Sequence, residues 1–253
     1  MLALNLSLGQ LQAYLVIFLR VSAILFVAPV FDNRSIPILF KVGLAISITL
    51  LLYPVVQLNT NAALENTFRF AFWVGAEIAL GVVIGMSVKM FFTGIQLAGQ
   101  FAGFQMGLAI ANVMDPSTSA QMPILAQFKN LFAILIFLVT NAHHWFFRAL
   151  VESFTLVPPY HIQIHDNLFA AVMAMAANIF IIAIKIGAPV IGAMLITSVA
   201  FGMLARTVPQ MNVFIVAMPV KIVLGLIFLG ISLPYIAAFL SARFTYLGRD
   251  LLQ

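Results

Sequence analysis

Residues 167–184 read NLFAAVMAMAANIFIIAI and, after one lysine, residues 186–205 read IGAPVIGAMLITSVAFGMLA. Neither run holds a charged side chain. About 20 apolar residues in helical form cross the ~30 Å hydrocarbon core of a bilayer, and a spanning segment that is not a closed barrel must be a helix to satisfy its own backbone. This stretch therefore decides an all-α, multi-pass membrane fold. Working outward, Ile222 to Ala242 is uncharged and so is Met90 to Met114, while Phe70 to Val88 holds only Glu77, Ile124 to Phe147 only Lys129 and Ile38 to Leu58 only Lys41. Leu8 to Leu19 is shorter and continues through Arg20 to Ala28-Pro29. Seven or eight helical segments result, with Pro189, Pro219 and Pro234 expected to cut the last part of the chain into shorter ones.

Composition agrees. Only 8% of the 253 residues are charged, against about 25% in a soluble domain, so a water-facing surface cannot be covered from this alphabet. Twelve Lys and Arg against seven Asp and Glu give +5, but no basic run tracks a phosphate backbone, which argues against nucleic acid as a partner. Cysteine is absent, which removes disulfides, zinc thiolates, iron–sulfur clusters and a cysteine nucleophile. No Lys or Arg precedes Arg20, and no small-residue cleavage site follows a compact apolar core, so a cleaved signal peptide is not expected.

Charges break the plain bundle reading. Lys and Arg are spread almost evenly over the connections, so the positive-inside rule gives no orientation. Arg20, Glu77, Lys89, Lys185 and Lys221 lie inside or at the edge of apolar segments. A lipid-facing charge at mid-helix costs about 2.5–3.5 kcal/mol, whereas a Leu or Ile returns about 0.3–0.6. These residues are expected to face protein or water.

Gly99, Gly103 and Gly107 recur every four residues, a helix stripe where another backbone can come close, and Gln96 and Gln100 form a neighbouring stripe. The stripes fit packing within the chain, or a face toward a pore or another subunit. Downstream, Asp115-Pro116 is expected to end this helix and Pro123 to open the next. The polar segment between is flanked by Met114 and Met122. It reads as an interhelical turn, or as a deformable seal, since methionine is unbranched and adaptable.

Metal and catalytic chemistry find no support. His143 and His144 are adjacent and diverge by about 100° on a helix, while His161 and His165 have Asp166 as their only nearby carboxylate. No GxSxG, HExxH, P-loop or dinucleotide fingerprint occurs, and neither a cofactor nor enzymatic activity is expected.

The residues that identify a family are Phe201-Gly202-Met203-Leu204-Ala205-Arg206-Thr207-Val208-Pro209-Gln210-Met211-Asn212-Val213-Phe214, followed by Pro219-Val220-Lys221. This stretch resembles the C-terminal signature of the FliR family, the R-type subunit of the flagellar type III protein export gate, called SctT in injectisomes. Arg20 with Ala28-Pro29, Arg34, Ile36-Pro37, Lys41, Gln105-Met106-Gly107-Leu108, Asp115-Pro116, Met122-Pro123 and Asn141-Ala142-His143-His144 agree with that family in order. Ala142 stands where glycine is common. The Arg-Thr-x-Pro-Gln-Met-Asn form looks flagellar.

The resemblance implies a noncatalytic channel subunit of the bacterial inner membrane, in the flagellar basal body. It implies assembly with five P-type and four Q-type subunits into a helical complex around a conduit for unfolded proteins. It also implies docking against the large export-gate protein and the B-type switch protein. Residues 1–165 would pack like a P subunit and 166–253 like a Q-type hairpin. The plug of the conduit falls on Met106, Asn112, Met114, Asp115, Pro116, Ser117, Thr118, Ser119, Gln121 and Met122. Contacts with other subunits fall on Arg20, Arg34, Lys41, Glu77, Gly99, Gly103, Gly107, Arg206, Pro209, Gln210, Asn212, Phe214, Pro219 and Lys221. For Arg206, Gln210 and Asn212, capping and turn chemistry is the plainer alternative. The competing function is a small-molecule secondary transporter built on Glu77 with Lys89 or Lys185.

Overall fold

A computed structural model describes residues 8–29, 31, 36–56, 67–108, 123–159, 167–208, 210 and 212–250. These residues form seven helices: α1 (Leu8–Val27), α2 (Ile38–Leu52), α3 (Thr67–Gln105), α4 (Ile124–Val139), α5 (Ala142–Leu156), α6 (Asn167–Thr207) and α7 (Val213–Asp250). Four of them, α1, α3, α6 and α7, are long and apolar enough to cross a membrane. The chain is an all-α, polytopic membrane protein.

Three expectations are corrected. The uncharged windows on either side of Lys89 are one helix of 39 residues, and those on either side of Lys185 are one helix of 41. A lysine divides a hydropathy profile but is itself a good helix former, so it does not divide a helix. Pro189 lies inside α6, and Pro219 and Pro234 inside α7, without ending either. Proline's fixed φ suits a helix, and apolar helices tolerate the lost N–H where neighbours re-satisfy the freed carbonyl. Finally, the glycine-rich helix ends at Gln105, well short of Asp115.

That end has a local cause. Gly107 adopts φ 82°, its N–H donates to the Phe104 carbonyl at 3.1 Å, and the Leu108 N–H reaches back to the Gly103 carbonyl at 3.0 Å. This is a Schellman C-cap, which consumes the carbonyls a longer helix would need. The window 124–147 also divides, at Asn141, which takes φ 55°, a left-handed conformation that asparagine tolerates. Pro123 immediately precedes α4, and its carbonyl accepts from the Ala126 and Gln127 N–H groups at 2.8 and 3.0 Å.

The helices sort into two compact units. One comprises α1, α2, α3 up to Met90, α5 from His143 and the start of α6; the other comprises the rest of α3, α4, and most of α6 and α7. In the first, α1 buries Ala13, Val16, Ile17, Arg20, Val21 and Ile24, spaced three and four apart as one helix face. Its partner α2 turns Lys41, Ala45, Thr49 and Leu52 inward, and the Tyr14 hydroxyl donates to the Ile46 carbonyl at 3.3 Å. In the second, Phe91, Phe92, Phe137 and Phe244 meet ring to ring at 5.1–6.2 Å, and Ala102, Met106, Leu125, Val190, Ala193, Met194 and Leu229 form a further buried cluster.

At ~1.5 Å per residue, α3, α6 and α7 measure about 58, 62 and 57 Å, roughly twice the hydrocarbon core. Fitting such a helix inside ~30 Å needs a tilt near 60°, beyond the usual range of about 0–40°. Large apolar side chains stay exposed on α6 from Phe169 to Leu204 and on the first part of α7 from Ile215 to Tyr235, whereas on α3 they are confined to Phe68, Phe72, Ile78 and Phe104.

Candidate functional site

The most elaborate polar site lies in the first unit. Arg20 and Glu77 are both fully buried. Arg20 Nε and Nη2 donate to the two carboxylate oxygens of Glu77 at 2.5 and 2.9 Å, a bidentate pair. Nη1 donates to the Ser153 carbonyl at 2.8 Å and Nη2 to that of Val157 at 2.9 Å, while the guanidinium stands 4.3 Å from the centre of the Phe154 ring. Four hydrogen bonds and a ring face thus tie α1, α3 and the C-terminal end of α5 together. Glycines bring the helices close enough. A Cβ at Gly81 would meet Ala23 Cβ at 2.6 Å and the Arg20 carbonyl at 2.8 Å, and one at Gly85 would meet Val27 Cβ at 2.8 Å.

Arg20 and Glu77 were expected at contacts with other subunits, and here they are spent on each other. The transporter reading pairs Glu77 with Lys89 or Lys185, whereas here both carboxylate oxygens of Glu77 accept from the Arg20 guanidinium. Lys41 is also inside, its Nζ 6.0 Å from the centre of the Phe26 ring. Arg34 lies outside the described residues.

The glycine stripe of the second unit separates into three roles. A Cβ at Gly99 would lie 2.5 Å from Ala126 Cα and 2.7 Å from the Leu125 carbonyl, so this glycine lets α3 touch the first turn of α4. At Gly103 the nearest atom would be Leu125 Cδ1 at 3.9 Å, ordinary contact. Gly107 is the helix cap. Of the neighbouring glutamines, Gln96 Nε2 donates to Asn130 Oδ1 at 3.1 Å, a bond across α3 and α4. Close packing within the chain therefore accounts for Gly99 and Gln96.

Of the plug residues, Met106 alone is described. It is fully buried in the α3–α4–α6–α7 cluster, and its side chain fills the space over Gly225, where a Cβ would meet it at 2.5 Å. Met106 is thus a core residue of the second unit. Asn112, Met114, Asp115, Pro116, Ser117, Thr118, Ser119, Gln121 and Met122 lie outside the described residues.

In the C-terminal signature Arg206 is exposed in the last turn of α6, where a cation suits the helix dipole. Gln210 and Asn212 are exposed, and the Asn212 carbonyl accepts the Ile215 N–H at 3.1 Å as α7 begins. Pro219 is exposed and Lys221 half-buried on α7. Phe214 belongs to the first turn of α7, and Pro209 lies outside the described residues.

Two features escaped the sequence reading. Gly81 and Gly85 carry the same four-residue spacing as Gly99 and Gly103, a signal that was available. Lys129 is the other: it is buried to 1% exposure, and its Nζ has no hydrogen-bond partner among the described residues. Among those residues no three His, Cys, Asp or Glu side chains gather to hold a metal.

Comparison with known proteins bears on the whole chain. The profile of the family described as bacterial export proteins, family 1, matches residues 11–247. The flagellar biosynthetic protein FliR of Pectobacterium carotovorum subsp. carotovorum is 35% identical over 229 residues, covering 90% of this chain and 87% of that protein. That of Bacillus subtilis (strain 168) is 33% identical over 92% of this chain and 90% of its own length. That of Escherichia coli (strain K12) is 32% identical over 94% and 90%.

Proposed function

This chain belongs to the bacterial export proteins, family 1, and from that premise we propose that it is the R-type subunit of a flagellar type III export gate. On this reading it is a noncatalytic channel subunit. It assembles with five P-type and four Q-type subunits into a gated conduit for unfolded flagellar proteins across the bacterial inner membrane, at the flagellar basal body. Residues 1–165 take the P-like role and 166–253 the Q-like hairpin. The segment from Met106 to Met122 plugs the lumen, and the cytoplasmic side docks the large export-gate protein and the B-type switch protein.

One observation of the structure carries the reading. The helix α6 is about twice as long as the hydrocarbon core is thick and exposes large apolar side chains from Phe169 to Leu204, a stretch of about 53 Å. A ~30 Å hydrocarbon core covers little more than half of that stretch on an upright helix, and contact with other polypeptides accounts for the remainder.

Purification of the complex through a tag on this chain, followed by native mass spectrometry, tests the reading. The expected mass is that of one such chain with five P-type and four Q-type subunits. A stable monomer in detergent, together with normal secretion of hook and filament proteins by cells lacking the chain, refutes it. The plug has its own test. Deleting Ser117 to Gln121 leaves assembly intact and makes membranes conduct small ions, whereas unchanged conductance with normal assembly removes that assignment.

A further inference from the structure

We propose that the exposed stripe of α6 centred on Lys185 is the seat of a single apolar helix from a partner subunit, carrying a carboxylate opposite the Lys185 ammonium. The inference rests on the reading of this chain as an assembled subunit and specifies the chemistry of one contact. Ile181, Lys185, Ala188, Gly192, Leu195 and Val199 follow one another at intervals of four, three, four, three and four residues, and all six are exposed. That is the 3.5-residue period with which one helix presents a seam to another. The middle of the seam is low. Ala188 is a methyl group, and a Cβ at Gly192 would meet nothing within 4 Å, so a partner backbone can approach closely beside the lysine.

The lysine selects among occupants. Its ammonium has no hydrogen bond or ion pair among the described residues, and Pro189 has no N–H to give the Lys185 carbonyl. As the nineteenth residue of α6, it stands about 27 Å from one end of the helix and about 33 Å from the other. If α6 is centred in the bilayer, the ammonium lies at its midplane. If the ammonium lies at the headgroups, one uncharged half of α6 is outside the hydrocarbon. An acyl chain covers apolar surface but cannot pair the cation; a lipid phosphate pairs the cation but cannot cover the half outside. A helix that is apolar along its seam and bears one Asp or Glu does both in either placement.

No carboxylate among the described residues pairs Lys185, and the counter-charge is assigned to another chain. Within the residue ranges of its unit, Lys185 is accompanied by Lys129, Arg206, Lys221 and Arg243, against Asp115 as the sole acid. By contrast, residues 222–242 of α7 expose apolar side chains with no charge among them, which suits contact with lipid.

The experiment places a photo-cross-linking amino acid at Ile181 or at Leu195 in the full-length chain in cells. Both positions are expected to capture the same partner helix, at points roughly 14 residues apart, with an Asp or Glu between them. Lys185→Glu is expected to lower recovery of that partner at least tenfold, and reversal of the partner's carboxylate to lysine to restore it. Adducts to lipid alone, a captured segment without a carboxylate, or full recovery with Lys185→Glu overturns the proposal. In those outcomes the wild-type chain still co-purifies with its export partners. If it does not, the fault lies in the functional reading.

Discussion

Replacing Glu77 by leucine should cost this protein about 3–5 kcal/mol, and the geometry around Arg20 says why. The substitution keeps the volume roughly constant but strands a guanidinium at zero exposure, left with the Ser153 and Val157 carbonyls and the Phe154 ring and no counter-charge. Breaking a buried ion pair from one side carries that cost because the surviving charge is left uncompensated. At about 1.4 kcal/mol per factor of ten, a loss of 4 kcal/mol lowers the folded-to-unfolded ratio roughly a thousandfold. Arg20→Leu should cost about 1–3 kcal/mol more, since it abandons the carboxylate and both carbonyls together. The double variant removes both charges and leaves only the two carbonyls, so it should lose at least ~2 kcal/mol less than the sum of the single variants. SDS titration of the purified assembly in mild detergent, with steady-state levels in cells as a second readout, gives the three numbers. If Glu77→Leu unfolds within ~0.5 kcal/mol of the parent, or if the single effects simply add, then the pair does not hold α1, α3 and α5 as argued.

Two further outcomes follow from packing. Gly99→Ala should destabilise by about 1–3 kcal/mol, because its Cβ would enter the backbone of Ala126, whereas Gly103→Ala should stay within about 0.5. Equal effects in the same titration would contradict the division of roles within the stripe. Lys129→Met should leave stability unchanged or raise it, since it replaces a buried ammonium that has no partner among the described residues by an apolar chain of similar length. A loss above ~2 kcal/mol would show that the ammonium is paired by a group beyond those residues.

Helix identity was legible in the sequence because burial in an apolar medium leaves few alternatives to a helix. The start of α4 was legible because Pro123 suits the opening of a helix. What failed was the inference from charge to segmentation. Lys89 and Lys185 divide hydropathy windows, but backbone hydrogen bonding passes through a lysine as readily as through a leucine. The glycine spacing announced close approach without saying to what. Gly99 meets α4, Gly103 has room to spare, and Gly107 serves its φ of 82°, which no spacing rule contains. The Arg20 site was half legible. Two opposite charges in apolar segments had to be neutralised, but their pairing across 57 residues, and their use of backbone carbonyls on α5, depend on tertiary contact alone.

The two units manage charge differently, and this bears on how such a chain is made and assembled. In the first, cations and acids nearly balance, seven against six, and its deepest charges, Arg20 and Glu77, are neutralised within the chain. That pair needs no counter-charge from a partner. In the second, five cations face one acid; Lys129 is buried, and Lys185 and Arg206 are exposed without a partner among the described residues. A unit with that excess of like charge in an apolar setting gains stability when carboxylates from outside reach it. The expected consequence is an order of dependence. In cells lacking the partner subunits, limited proteolysis should open the chain first among the helices of the second unit, between Pro123 and Thr245, while fragments holding the Arg20–Glu77 pair persist. Protection of both units to the same degree would show that the cationic unit needs no external counter-charge.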